Sequence, residues 1–96
     1  MKYTIYKYEL MICQSQIIHM PKGAEILTIQ VQRSKPQLWV LINCNDQMEA
    51  SRAMVKRKIC IEGTGHKIAS YPGAYINTFQ ISNGDLVYHV FDGGEE

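Results

Sequence analysis

Residues 24–32 read AEILTIQVQ, a stretch in which apolar and polar side chains trade places at nearly every step. That period of two belongs to a half-buried β-strand, not to a helix. It sets Leu27, Ile29 and Val31 against Ile26, Thr28 and Gln30. The same rhythm returns in residues 2–10 (KYTIYKYEL), where Tyr6, Tyr8 and Leu10 share one face, and in residues 14–20, 55–62, 75–81 and 86–91. Residues 37–43 (QLWVLIN) are apolar on both faces, as in a strand covered on both sides.

The punctuation between these runs fits short connections. Met20-Pro21-Lys22-Gly23 is a turn in which proline presets φ and glycine takes the last position. Arg33-Ser34-Lys35-Pro36 is a second. In Ser82-Asn83-Gly84-Asp85, the Asn-Gly pair between alternating runs is a strong hairpin signal, because a type I′ turn needs positive φ at both central positions. Residues 44–54 (CNDQMEASRAM) break the pattern; good helix formers behind Asn45-Asp46 suit a short helix or an extended loop. Residues 93–96 read as a frayed acidic end. With no βαβ rhythm, the expected fold is all-β: a single domain over residues 1–96, a small antiparallel β-sandwich or partly open barrel of six to seven strands with at most one short helix.

Composition narrows the function classes. At 46% hydrophobic and 20% charged, the 96-residue chain is globular in composition, and its core must be thin. Its apolar runs are far shorter than a membrane-spanning helix, and the N-terminus lacks the apolar block of a signal peptide. The expectation is a cytosolic protein with no membrane partner. A net charge of +1 argues against binding a long nucleic acid, which is held through many phosphate contacts. A small anion needs only a few cations. Cys13, Cys44 and Cys60 are odd in number and widely spaced, a pattern for neither a disulfide framework nor a zinc site.

Candidate chemistry is sparse. His19, His66 and His89 lie on three different elements with no paired metal-ligand spacing, so no metal or other cofactor is expected. No serine or cysteine has a base and an orienting group readable beside it, and no H-x-[ST] pair is present for phosphodiester hydrolysis. The chain is therefore expected not to be an enzyme.

The loop Gly63-Thr64-Gly65-His66-Lys67 has two readings. Glycines can let backbone N–H groups line a concavity suited to phosphate, with Thr64, His66 and Lys67 as further donors. Alternatively the glycines serve positive-φ turn positions, and Thr64 and His66 cap nearby backbone; the loop matches no phosphate-binding fingerprint. Trp39 alternates with Leu38 and Val40, so its indole faces away from them. Tyr71, Tyr75 and Phe79 follow the glycine loop, and flat rings beside donors suit a nucleobase, although such rings also build cores. Lys56, Arg57 and Lys58 form a basic run in which Arg57 faces away from its neighbours.

Several of these segments together resemble a widespread family of small phage-encoded proteins: Tyr6-Lys7-Tyr8, Met20-Pro21-Lys22-Gly23-Ala24-Glu25-Ile26-Leu27 with Gln30-Val31-Gln32, Leu38-Trp39, Gly63-Thr64-Gly65-His66, Thr78-Phe79-Gln80 and His89-Val90-Phe91. The Gly-Thr-Gly-His and Met-Pro-x-Gly-Ala elements are the most specific. Two positions depart from that pattern: Lys67 stands where relatives carry proline, and Asn77 where they carry glycine. Phage proteins of this kind include anti-CBASS sponges, which bind cyclic nucleotide signals of bacterial defence without degrading them.

The resemblance implies a cyclic dinucleotide or similar small nucleotide as ligand, a homo-oligomer (dimer or tetramer) and the host cell cytoplasm as location. It further implies that Gly63, Thr64, Gly65, His66 and Lys67 contact phosphate, that Trp39 or Tyr75 stacks on a base, and that Thr78 and Gln80 supply polar contacts. The alternative is a small accessory module that binds a host protein or packs into an assembly through Trp39 and the loop aromatics.

Overall fold

A computed structural model describes residues 2–44 and 53–96. Seven strands follow one another: β1 (Lys2–Glu9), β2 (Ser15–Pro21), β3 (Glu25–Gln32), β4 (Lys35–Cys44), β5 (Met54–Gly63), β6 (Ala74–Ile81) and β7 (Leu86–Glu95). They form two antiparallel sheets, one ordered β1-β4-β3 and the other β2-β5-β7-β6. The result is the small all-β sandwich that the alternation implied. The helix or loop expected at 44–54 falls almost wholly outside the described residues. No helix among the described residues is long and apolar enough to cross a membrane.

The core lies between the sheets. Leu38, Val40 and Ile42 of β4 face Ile59 and Ile61 of β5 and Val90 of β7, with Met20, Ile29 and Phe79 completing the buried set. Each such side chain contributes ~1.5–3 kcal/mol on burial, which compensates for the small size of the domain. Phe79 stacks on Tyr88 with ring centroids 5.4 Å apart.

The two sheets are also joined at their edges. Asn77 of β6 accepts from the Ile29 amide at 2.8 Å and donates to the Ile29 carbonyl at 2.9 Å. One side chain thereby does for the β3 edge what a neighbouring strand would do. Asn77 is thus a seam residue.

Four local details correct the sequence reading. A bulge between Ile26 and Thr28 resets the phase of β3, so that Ile26 and Ile29 both face the core and Leu27 is exposed. The turn after β2 is shifted by one residue: the Ala24 amide donates to the Pro21 carbonyl and Gly23 takes φ +83 at the third position, as a type II turn requires. Pro36 belongs to β4, and the preceding turn is the two-residue Arg33-Ser34, both at positive φ. The C-terminal end is not frayed. β7 continues to Glu95 opposite Arg57, and the Glu96 amide donates to the Lys56 carbonyl. An Arg57–Asp92 ion pair at 2.9 Å fastens this end, with Arg57 turned away from Lys56 and Lys58 as the alternation required. The Asn83-Gly84 hairpin, by contrast, keeps both central residues at positive φ, and the Asp85 amide donates to the Ser82 carbonyl.

Candidate functional site

On β5, Ile59 and Ile61 point into the core, so Lys58, Cys60 and Glu62 point outward. Their neighbours on β7 are His89, opposite Glu62, and Phe91, opposite Cys60; on β6, Thr78 stands opposite His89 and Tyr75 opposite Phe91. The outward face of the four-stranded sheet is thus polar, unlike that of the three-stranded sheet. Residues 64–73, which link β5 to β6, fold over it.

The loop begins as a β-turn, with the His66 amide donating to the Gly63 carbonyl and Gly65 at φ +84. Gly63 is glycine for another reason. The His66 ring folds back onto it, and a Cβ there would lie 3.0 Å from His66 Cε1. The Thr64 amide donates to the Val87 carbonyl. Two of the N–H groups that a phosphate nest would use are therefore already engaged, and the turn reading of this loop describes its backbone. The far end is anchored at Gly73, whose φ of +116 brings it so close to β7 that a Cβ would collide with the Asp92 carbonyl oxygen.

His89 connects the loop to the sheet. Its Nε2 lies 2.7 Å from Thr64 Oγ1 and its Nδ1 lies 2.9 Å from Thr78 Oγ1. The chain continues to the Tyr75 hydroxyl, 2.7 Å from Thr78 Oγ1. Threonine hydroxyls both donate and accept, so they hold the imidazole from both sides. With His89 Nε2 donating to Thr64, the Thr64 hydroxyl is left to donate to the Val87 carbonyl at 3.5 Å. Tyr75 rests edge-on against Phe91, centroids 5.9 Å apart, with 58% of the residue exposed.

Two clefts open beneath the loop. One, of about 380 Å³, has Lys58, Cys60 and Glu62 as its floor and residues 68–73 as its roof. The other, of about 400 Å³, runs between Cys13 and Gln14 on one side and His66 and Lys67 on the other. Gln14 and Glu62 line both. Tyr71 rims the first with 85% of its surface exposed. Burial pushes the Cys60 thiol above its usual value of 9.0; Lys58 opposes this and Glu62 adds to it. Among the described residues no group of three or more metal-ligating side chains converges.

The residues singled out from sequence are therefore divided. Thr64, Tyr75 and Thr78 meet through His89, and Gly63, His66 and Lys67 line the second cleft. Gln80 lies beside the 82–85 turn, its Oε1 3.2 Å from where a Cβ on Gly84 would be. Trp39 is elsewhere, on the outward face of the three-stranded sheet beneath Lys7, whose Nζ is 5.5 Å from the ring centroid. Sequence reasoning missed Glu62 altogether and weighed His89 as a metal ligand, in a hydrolase motif and within the family resemblance, not as the link between loop and sheet.

No curated protein and no solved structure matches the chain. The family model described as a domain of unknown function (DUF7352) matches residues 1–96. The chain, with its loop-covered polar sheet face, belongs to that DUF7352 family.

Proposed function

We propose that this protein is a phage-encoded immune-evasion sponge, which binds a cyclic dinucleotide signal of bacterial defence in the host cytoplasm and sequesters it without cleaving it. The observation that carries the reading is the pair of adjoining clefts under residues 64–73, one lined by Lys58 and Tyr71 and the other by His66 and Lys67. A ligand with two phosphates and two bases asks for cations and flat rings in one groove. Anion contact falls to Lys58, Lys67 and the His66 ring, because the Thr64 and His66 amides are engaged within the fold. Stacking falls to Tyr71, which rims the first cleft; Tyr75 and Trp39 line neither. Both His89 nitrogens face hydroxyls and Cys60 holds its proton tightly, which supports capture over cleavage. Calorimetric titration with a panel of cyclic di- and trinucleotides tests this: stoichiometric binding, with ligand recovered intact after heat denaturation, is expected. Binding of none of them contradicts the reading, and consumption of the ligand turns the protein into an enzyme.

A specific observation favours protein contact at a second surface. The outward face of the three-stranded sheet gathers Trp39 and Leu41 with Tyr3, Ile5 and Leu27, of which Tyr3 and Ile5 are each 56% exposed. We propose it as the packing face of a homo-oligomer; a host protein docked there is the alternative.

A further inference from the structure

Glu62 sits on an outward sheet face yet is only 8% exposed, because residues 64–73 cover it. Among the described residues no hydrogen bond or ion pair reaches its carboxylate: His89, directly opposite, is held by Thr64 and Thr78, and Lys58 lies with its aliphatic stem along Gly93. Neither Glu62 oxygen is among the fully buried side-chain atoms without a partner, so the carboxylate is wetted through the two clefts it lines. With no protein donor on it, it is placed to accept hydrogen bonds from a ligand that enters them.

The surroundings select the ligand's chemistry. A metal ion would need more than one carboxylate, and none converges with Glu62 among the described residues. A cationic ligand would meet Lys58 in one cleft and Lys67 in the other. What fits is a neutral group with N–H donors, carried on an anionic molecule. An ionised carboxylate only accepts, and its two oxygens suit two parallel donors. Among the nucleobases guanine offers that pair, N1–H beside the N2 amino group. Adenine and cytosine place a ring-nitrogen acceptor beside their amino group, and uracil flanks its N3–H with carbonyls.

We propose that Glu62 reads the Watson–Crick edge of a guanine base seated under residues 64–73, with Tyr71 stacking on the base and Lys58 and Lys67 facing the phosphates. This specificity rests on the nucleotide reading above. The test is calorimetry on the full chain with cyclic di-GMP, cyclic di-IMP and cyclic di-AMP, repeated with GMP, IMP and AMP, and on Glu62→Gln. Inosine keeps N1–H and lacks the amino group. The guanine ligand is expected to bind about tenfold or more tightly than its inosine and adenine counterparts, and Glu62→Gln should erase that preference. Should Glu62→Gln fail to fold by circular dichroism, the guanine-against-inosine comparison on the native chain decides alone. Cyclic dinucleotides that bind with equal affinity, or a preference that survives in Glu62→Gln, overturn the guanine proposal and leave sequestration standing. Glu62-dependent binding of GMP with none of the cyclic compounds supports guanine recognition and overturns the sponge reading. No binding of any of the six overturns the guanine proposal, and no binding across the wider cyclic-nucleotide panel overturns both.

Discussion

Thr64 Oγ1 lies 2.7 Å from His89 Nε2, so the first residue of the covering loop is tied to the strand beneath it. Thr64→Val keeps the shape and removes the hydroxyl. It should cost ~1 kcal/mol in chemical denaturation and speed amide exchange through residues 64–73. His66→Ala, by contrast, changes an exposed ring lying over Gly63, and its effect on stability should stay within ~0.5 kcal/mol. Equal losses for the two variants would show that His89 does not anchor the loop.

Asn77 satisfies both backbone groups of Ile29 where the sheets meet. Asn77→Ala leaves the Ile29 amide unpaired and its carbonyl with only the Thr28 hydroxyl at 3.4 Å, and should lower stability by ~1–3 kcal/mol, the cost of an orphaned part-buried group. Urea unfolding monitored by circular dichroism measures this. A neutral substitution would mean that the sandwich does not depend on that seam.

The Arg33-Ser34 turn holds two ordinary residues at φ of 55 and 67, a region that costs non-glycine residues about 1 kcal/mol each. Replacing them with Asn-Gly, the preferred pair for such a turn, should raise stability by about 1 kcal/mol. A drop in melting temperature would contradict the assigned turn.

Burial raises the Cys60 thiol above 9.0 and the Tyr8 phenol above 10.0, the latter with help from Tyr6. Both groups hold their protons more tightly folded than unfolded, so their contribution is complete below those values and is lost as pH climbs through the folded ones. Stability should be flat near neutrality and fall above pH about 9, less steeply in Cys60→Ala. Denaturation series across that range check the sign. Alkylation followed site by site in a mass spectrometer should also find the half-buried Cys13 labelled ahead of the buried Cys60.

Strand order along the chain was legible because period-two runs and turn residues agree with each other. The Asn83-Gly84 signal carried more than a turn. Counting outward from it places Thr78 opposite His89, the pair the structure contains. Other features arise from non-sequential neighbours. Glu62 stands opposite His89 only because β5 pairs directly with β7, leaving the intervening β6 at the sheet edge, and no local pattern announces that. The Ile26/Thr28 bulge likewise separates Leu27 from Ile29, which strict alternation had put on one face. Trp39 was placed correctly with respect to Leu38 and Val40, but that it lies on a different sheet from the glycine loop depended on the division of the strands into two sheets.

The apolar outward face around Trp39 gives a prediction about assembly. Ile5, 56% exposed and paired with Leu41, should be buried between copies in solution. Light scattering should give a multiple of the 11.0 kDa chain mass, and Ile5→Lys should return it to the monomer. A native monomer at all concentrations would contradict the homo-oligomer and leave that face to another partner.

The central claim is that the loop-covered face of the four-stranded sheet holds a nucleotide. Its most direct test is amide chemical-shift mapping of the isotopically labelled protein titrated with cyclic di-GMP. The shifts should concentrate on Lys58, Glu62, His66, Lys67 and Tyr71 and leave β1 and Trp39 unmoved. Shifts confined to the Trp39 face, or none at saturating ligand, would contradict it.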